Sequence, residues 1–301
     1  MILIDYNAIA IGNVVTQKLD INEDLVRHMI LNSLRMHRAK HKDKFGELVI
    51  CSDGPHNWRK DFFPPYKFKR KDARKESKFD WNELFRITNM VFEELQNNFP
   101  YKVVWHDRAE ADDCIAAIVE NTQEFGQGED VLIISADKDF AQLQKYNNVS
   151  QWSHMQKKWI KEDHPRRQLQ ELIMKGDTSD GVPNVLSNDD CFVEGVRQTP
   201  LRQKNLDEMI NRLSEVTANL TNTPEWYRNY LRNKKLIDLS ETPKDIKSDI
   251  INSFATQDKW DNKGKVFPYL VEKRCRRSVS YTHLRAHETK ANLVCRLLLE
   301  K

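Results

Sequence analysis

The chain has 301 residues, 39% of them hydrophobic, and carries 48 Lys and Arg against 45 Asp and Glu for a formal net charge of +3. That apolar content suffices for one large domain, or a domain and a smaller one, and excludes a disordered chain. No apolar run approaches the roughly 20 residues that cross a bilayer. The five cysteines (Cys51, Cys114, Cys191, Cys275, Cys295) are far apart with no C-x-x-C, which argues against a zinc site or disulfide framework and suits a reducing cytoplasm.

"MILIDYNAIA" lacks the basic lead of a signal peptide and enters a strand pattern directly at 2–4. Further strands are predicted at 48–51 (LVIC), 102–105 (KVVW) and 131–134 (VLII). They are short, continuous and rich in Val and Ile, as strands buried on both faces are. Helical spacing covers 23–42, 80–98 with a possible Asp80 cap, and 110–125. Strands alternating with helices predict an α/β fold with a mostly parallel sheet flanked by helices. Beyond residue 165 the strand signal fades, and 201–221, 224–235 and 243–255 read as helices. The predicted organisation is an α/β domain over 1–164, a smaller C-terminal helical domain over 165–274, and a tail from 275. The last stretch, "SVSYTHLRAHETKANLVCRLLLEK", lacks capping or turn logic and reads as a non-native extension.

Three apolar runs end on carboxylates: Asp5 after ILI, Asp53 after LVICS, Asp137 and Asp139 after VLIISA. In an open parallel sheet these ends line one edge, where ligands bind. "EADD" adds Glu110, Asp112 and Asp113 at a helix start, and "GDTSDG" adds Asp177 and Asp180. Any one strand-end Asp is ordinarily a turn or a cap; the joint pattern is what points to a site. Nine carboxylates in one crevice would repel and resist ionisation unless a cation lies among them. An all-oxygen set suits Mg²⁺, or Mn²⁺, over zinc. Two such ions about 4 Å apart would clamp the attacking and leaving oxygens of a phosphodiester.

Together "LIDYNAIA", "ICSDGPHNWRKDFFPPYKFKR", "EADDCIA", "ISADKDFAQL" and "KGDTSDGVPNV" resemble, in order, the motifs of the 5′-nuclease (flap endonuclease) superfamily. The likeness, over roughly 2–273, is greatest to its phage branch. It implies that Asp5, Asp53, Glu110, Asp112, Asp137 and Asp139 hold two Mg²⁺ ions, with Asp113 between or just behind them and Asp177 and Asp180 completing the second site. Asp112 and Asp137 would be indispensable to catalysis. The implied activity is 5′ to 3′ hydrolysis of a strand annealed to a template, acting on DNA and RNA/DNA hybrids. It would remove RNA primers and 5′ flaps in lagging-strand synthesis, as a monomer, beside a single-strand-binding protein and a sliding clamp. One departure is "NVLSNDDCFVEGVRQTP", which lacks the family's G-x-G-x-K hairpin. Arg197, Arg202 and Lys204 are candidate phosphate contacts there on charge alone.

Between Arg59 and Lys78 stand nine basic and three acidic residues, interleaved with aromatics. Such a stretch can grip a single-stranded end by phosphate neutralisation and base stacking. A basic arch is therefore expected over 56–78, interrupted at Pro64-Pro65, with Arg59 and Lys69 as nucleic-acid contacts. The resemblance implies that Lys67 and Arg70 reach the scissile phosphate and that Tyr66 stacks on the terminal base. His37 and His41 are spaced i, i+4 and read as a surface pair without a third metal ligand. Trp58, Trp81, Trp105 and Trp152 read as core or rim. The rival readings are a PIN-type ribonuclease cutting single-stranded RNA and a non-catalytic, structure-specific DNA-binding protein.

Overall fold

The computed structural model describes residues 1–15, 21–77, 79–219, 223–258 and 260–275. The predicted C-terminal tail, apart from Cys275, lies outside them. Six strands form one sheet in the order β3-β2-β1-β4-β5-β6. They are β1 Ile2–Asp5, β2 Leu48–Cys51, β3 Lys102–Val104, β4 Val131–Ile134, β5 Val149–Ser153 and β6 Lys158–Ile160. All pairings are parallel except β5 with β6. The α/β class and the four predicted strands stand as read. The β5–β6 hairpin was not read from the sequence.

Strand side chains alternate between two cores, as period-two geometry requires. Ile2, Ile4, Ile50, Leu132 and Ile134 face α1 (Tyr6–Val15), α2 (Glu23–Phe45) and α5 (Trp81–Asn98). Leu3, Val49, Cys51 and Ile133 face α6 (Ala111–Glu120), which continues as a π-helical turn at Asn121–Phe125. Asn22 caps α2 and Asp80 caps α5, each accepting backbone N–H bonds of the first turn. The far edge of β3 is closed by Gln257, whose side chain bonds both the N–H and the C=O of Val103.

The basic stretch folds as α3 (Trp58–Phe62), a turn at the two prolines, and α4 (Phe68–Glu76). A third core joins Phe63 and Tyr66 of this stretch to α7 (Pro165–Lys175), α8 (Gln203–Ala218) and α9 (Glu225–Ile237). The segment after α9 returns to the sheet. Ile246 and Ile250 of α10 (Lys244–Thr256) join the α6 core, and Val266, Tyr269 and Leu270 of α11 (Val266–Glu272) join the α2/α5 core. The region 165–274 thus packs in two places, its first part as a helical unit and its last part on the α/β layer.

Candidate metal and nuclease centre

β1 lies between β2 and β4, so the chain crosses to opposite sides of it. This is the switch point where crevices open at strand C-termini. A cavity of about 810 Å³ opens there, lined by Asp5, Asp53, Glu110, Asp112, Asp137, Asp139, Asp177 and Asp180, with Lys67 and Arg70. Eight of the nine predicted carboxylates therefore converge from segments up to 175 residues apart.

Local hydrogen bonds aim four of them. Asp5 accepts from the Ala8 N–H at 3.0 Å and from the Ser135 hydroxyl at 2.9 Å. Asp53 is held by Asn7 at 2.6 Å and by the Ala111 N–H at 2.8 Å. Asp137 caps the 3₁₀ turn Lys138–Lys145 through the Asp139 N–H. Asp177 accepts from the Ser179 N–H and hydroxyl and pairs with Lys138 at 2.9 Å. Asn7, Ser135 and Lys138 were not singled out from the sequence, although Asn7 lies within "LIDYNAIA" and Lys138 between the two aspartates of "ADKD".

Burial and mutual repulsion act on this set. Burial, then Asp53, pushes Asp5 up to about 7. Burial, then Asp137 and Asp177, pushes Asp139 up to about 8. Asp112 is driven well above the ordinary carboxylate range by burial and by Asp137 and Asp5, and Asp53 is raised by burial and by Glu110. Burial alone would raise Glu110 too, but Lys67 and Arg59 overcome it and hold that carboxyl at about 2. Asp139 Oδ1 is buried with no hydrogen-bond partner, and one oxygen each of Asp139, Asp177 and Asp180 lie within 4.8 Å of one another. An orphaned oxygen, clustered like charges and an all-carboxylate donor set fit a hard divalent cation.

The arch meets the carboxylates directly. Lys67 Nζ lies 2.5 Å from Glu110 and 3.5 Å from Asp180, and Arg70 lies 2.5 Å from Asp180. Lys67 holds a left-handed φ of 57° as the cap of α4, and its N–H donates to the Asp180 carbonyl at 2.7 Å. Gly181, at φ +72°, lets that turn close on the proline pair, since a Cβ there would stand 2.9 Å from the Pro65 carbonyl oxygen.

Three expectations need correction, and that for Asp113 is narrowed. Asp113 is fully buried outside the cavity, its oxygens occupied by Arg59, Trp58, Thr242 and the Glu110 N–H; of the two expected placements it stands behind the cation-facing carboxylates and not between the cations. Arg59 is 2% exposed and forked onto Asp113, so it does not face nucleic acid. Tyr66 is 4% exposed with its hydroxyl on Glu110 and Asp180, both at 3.0 Å, so its ring packs in the helical core rather than offering a face to a base. His37 and His41 are buried, and His41 packs against Trp152 and Trp159 of the β5–β6 hairpin. Lys69 is exposed, its Nζ 4.9 Å over the Phe192 ring. Arg197, Arg202 and Lys204 are exposed and do not line the carboxylate cavity.

A switch-point crevice of converging carboxylates beside a basic arch defines a nuclease of the 5′–3′ exonuclease class. Residues 4–170 match the model of the 5′–3′ exonuclease N-terminal, resolvase-like domain, and residues 166–281 match that of the T4 RNase H C-terminal region. The chain belongs to the 5′–3′ exonuclease family. It is 36% identical to ribonuclease H of Enterobacteria phage T4 over 281 residues, 90% of each chain. It is 29% identical over 161 residues to flap endonuclease Xni of Shewanella oneidensis, covering 50% of this chain and 55% of that one. The fold is also that of the T5 D15 protein co-crystallised with metal ions, with TM-score 0.60 at 15% identity over 84% of this chain and 98% of that one. The T5 D15 flap endonuclease in complex with DNA and metal ions gives TM-score 0.59 at 15% identity, covering 85% and 99%.

Proposed function

We propose that this protein is a Mg²⁺-dependent 5′ to 3′ exonuclease and flap endonuclease with ribonuclease H activity, removing RNA primers and 5′ flaps during phage lagging-strand synthesis. The observation that carries the reading is the gathering of eight carboxylates and three arch cations, Lys67, Arg70 and Arg74, around one cavity. The likeness to phage T4 ribonuclease H over nine-tenths of both chains supports the RNA/DNA hybrid as substrate. A single-strand-binding protein and a sliding clamp are the proposed partners, the host cytoplasm the proposed location, and a monomer the proposed working form. Residues 1–164 would form the catalytic domain and residues 165–274 the duplex-binding part.

Asp5, Asp53, Glu110, Asp112 and Asp137 would hold one cation, and Asp139, Asp177 and Asp180 the other. When bound, Mg²⁺ supplies Lewis acidity to the attacking water and the leaving 3′ oxygen. The protein's own part is positional. Strand ends and the α6 N-terminus fix the carboxylates, and Lys67 and Arg70, ordered against Glu110 and Asp180, are poised to transfer to the scissile phosphate. There they stabilise its developing charge as preorganised cations. Lys69 and, farther out, Arg197, Arg202 and Lys204 would contact backbone phosphates without base preference.

Parallel digestion of a 5′ flap, a nicked RNA/DNA hybrid and free single-stranded RNA tests the reading. Cleavage of the first two, abolished by Asp137→Asn or Asp112→Asn with substrate binding retained, is expected. Preference for free RNA would instead assign a PIN-type ribonuclease. Binding without cleavage by the unaltered protein would assign a non-catalytic DNA-binding protein.

A further inference from the structure

Outside the cavity, one buried polar cluster ties three distant segments together. Arg59, at the start of α3, donates Nη1 to Asp113 Oδ2 at 2.8 Å and Nη2 to Oδ1 at 2.9 Å, and its Nε donates to the Leu236 carbonyl at the end of α9, also at 2.8 Å. Trp58 Nε1 adds a bond to Asp113 Oδ2 at 3.2 Å. Thr242, in the turn before α10, donates its hydroxyl to Oδ1 at 2.6 Å. Asp113 Oδ2 in turn accepts the backbone N–H of Glu110 at 3.0 Å. Arg59 and Asp113 are 2% and 0% exposed.

The site depends on this cluster at a definite point. Glu110 is the N-cap of α6 and Asp112 lies in its first turn, and the N–H of Glu110 is fixed by Asp113. Arg59 Nη1 also stands 3.5 Å from Glu110 Oε2, so the base of the arch, the α6 N-terminus and the chain after α9 share one ion pair. A buried charge pair so fully hydrogen-bonded holds a single geometry. Building on the nuclease reading above, we infer that Arg59, Asp113 and Thr242 are positioning residues that set Glu110 and Asp112 for the divalent cation and keep the arch in register with them. Outer hydrogen bonds to metal-holding groups typically alter metal affinity by 10- to 100-fold.

The test uses the full chain and Mn²⁺ as the probe. Thr242→Val is nearly isosteric and removes one bond to Asp113. Arg59→Lys keeps the charge but loses the fork. Arg59→Met leaves the Asp113 charge unpaired. In case that variant does not fold, Arg59→Met with Asp113→Leu fills the same space with apolar groups, a replacement that buried pairs commonly tolerate. Calorimetric Mn²⁺ titration without substrate, with kcat and KM on a 5′ flap, gives the readouts. The expected result is about 10-fold weaker Mn²⁺ binding and lower kcat at unchanged KM in Thr242→Val. A larger loss is expected in the double variant, with Arg59→Lys intermediate between the unaltered protein and Arg59→Met where that folds, and otherwise between the unaltered protein and the double variant. Variants that lose only thermal stability, with Mn²⁺ affinity and kcat unchanged, would reduce the cluster to a structural tie and overturn the inference while leaving the nuclease reading intact. An unaltered protein that binds no Mn²⁺ and cuts no flap would overturn both.

Discussion

Replacing Asp139 with Asn should make the metal-free protein more stable, the reverse of what removing a buried polar residue ordinarily does. Asp139, Asp177 and Asp180 hold oxygens within 4.8 Å of one another. At that separation and an effective dielectric near 20, each like-charge pair costs about 3 kcal/mol. Lys138 at 2.9 Å from Asp177, Arg70 at 2.5 Å and Lys67 at 3.5 Å from Asp180 offset part of this, but the first two are about half exposed and screened, and Lys67 is shared with Glu110 at 2.5 Å. A net repulsion of about 1–2 kcal/mol is left for a near-isosteric neutral side chain to remove. For a chain of this size that is a rise in Tm of about 2–6 °C. The gain should be full at pH 8.5, where Asp139, raised to about 8, is largely ionised, and much smaller at pH 5, where the folded state holds a proton that the unfolded state has only begun to release. The assay is thermal unfolding in EDTA and in Mn²⁺ at both pH values. In Mn²⁺ the order should reverse, because a ligand at 100 times its Kd stabilises the unaltered protein by about 2.7 kcal/mol and the variant has lost a ligand. A variant no more stable than its parent in EDTA at pH 8.5, or one stabilised equally by Mn²⁺, would refute the reasoning.

Three further outcomes follow from the same geometry. Asp5 and Asp139, raised to about 7 and about 8 by burial first, bind protons in the folded state that the unfolded state has released above about pH 4. Metal-free stability should therefore fall as pH rises from about 4 to about 8, and equilibrium urea unfolding in EDTA should trace that slope, with Mg²⁺ flattening it. Lys67→Met should lower kcat on a flap by about 10²- to 10³-fold with little change in KM; steady-state kinetics showing an equal loss confined to KM would restrict Lys67 to holding phosphate. Gly181→Ala places a Cβ 2.9 Å from the Pro65 oxygen at a φ of +72°, costing about 1–2 kcal/mol in strain alone. It should also pull Asp180 from Tyr66 and Arg70, readable as a loss of both Tm and cleavage.

The parts of the fold legible in the sequence were those whose burial is one-dimensional. "ILI", "LVIC" and "VLII" are apolar throughout because helices cover both faces, and the carboxylates that follow each of them, Asp5, Asp53 and Asp137, marked the crevice. What was not legible depended on partners far along the chain. β5 carries Ser150 and Gln151 amid its apolar residues, and Gln151 is fully buried because its amide bonds the Ser135 and Asp137 carbonyls. β6 is a half-exposed edge of three residues. With that hairpin unseen, nothing in the helical spacing of α2 indicated that Trp152 and Trp159 would cover His41. α1 follows β1 with no intervening loop and is apolar almost throughout, so no boundary announced it. Within "EADD" the spacing could not separate a carboxylate facing the cavity from one facing Arg59, 54 residues away. Tyr66 looked free to stack for the same reason: the helical core that takes its ring comes from residues beyond 165.

The central claim is that the gathered carboxylates work as a cation-dependent cutter of annealed 5′ strands. Digestion of a 5′-labelled flap and an RNA-primed duplex, with Mg²⁺ titrated from an EDTA-treated zero, tests it most directly. The account predicts no cleavage at zero, a saturable rise with Mg²⁺, and short products released from the 5′ end of both substrates. Cleavage that persists in EDTA, or none at any Mg²⁺ concentration, would contradict it.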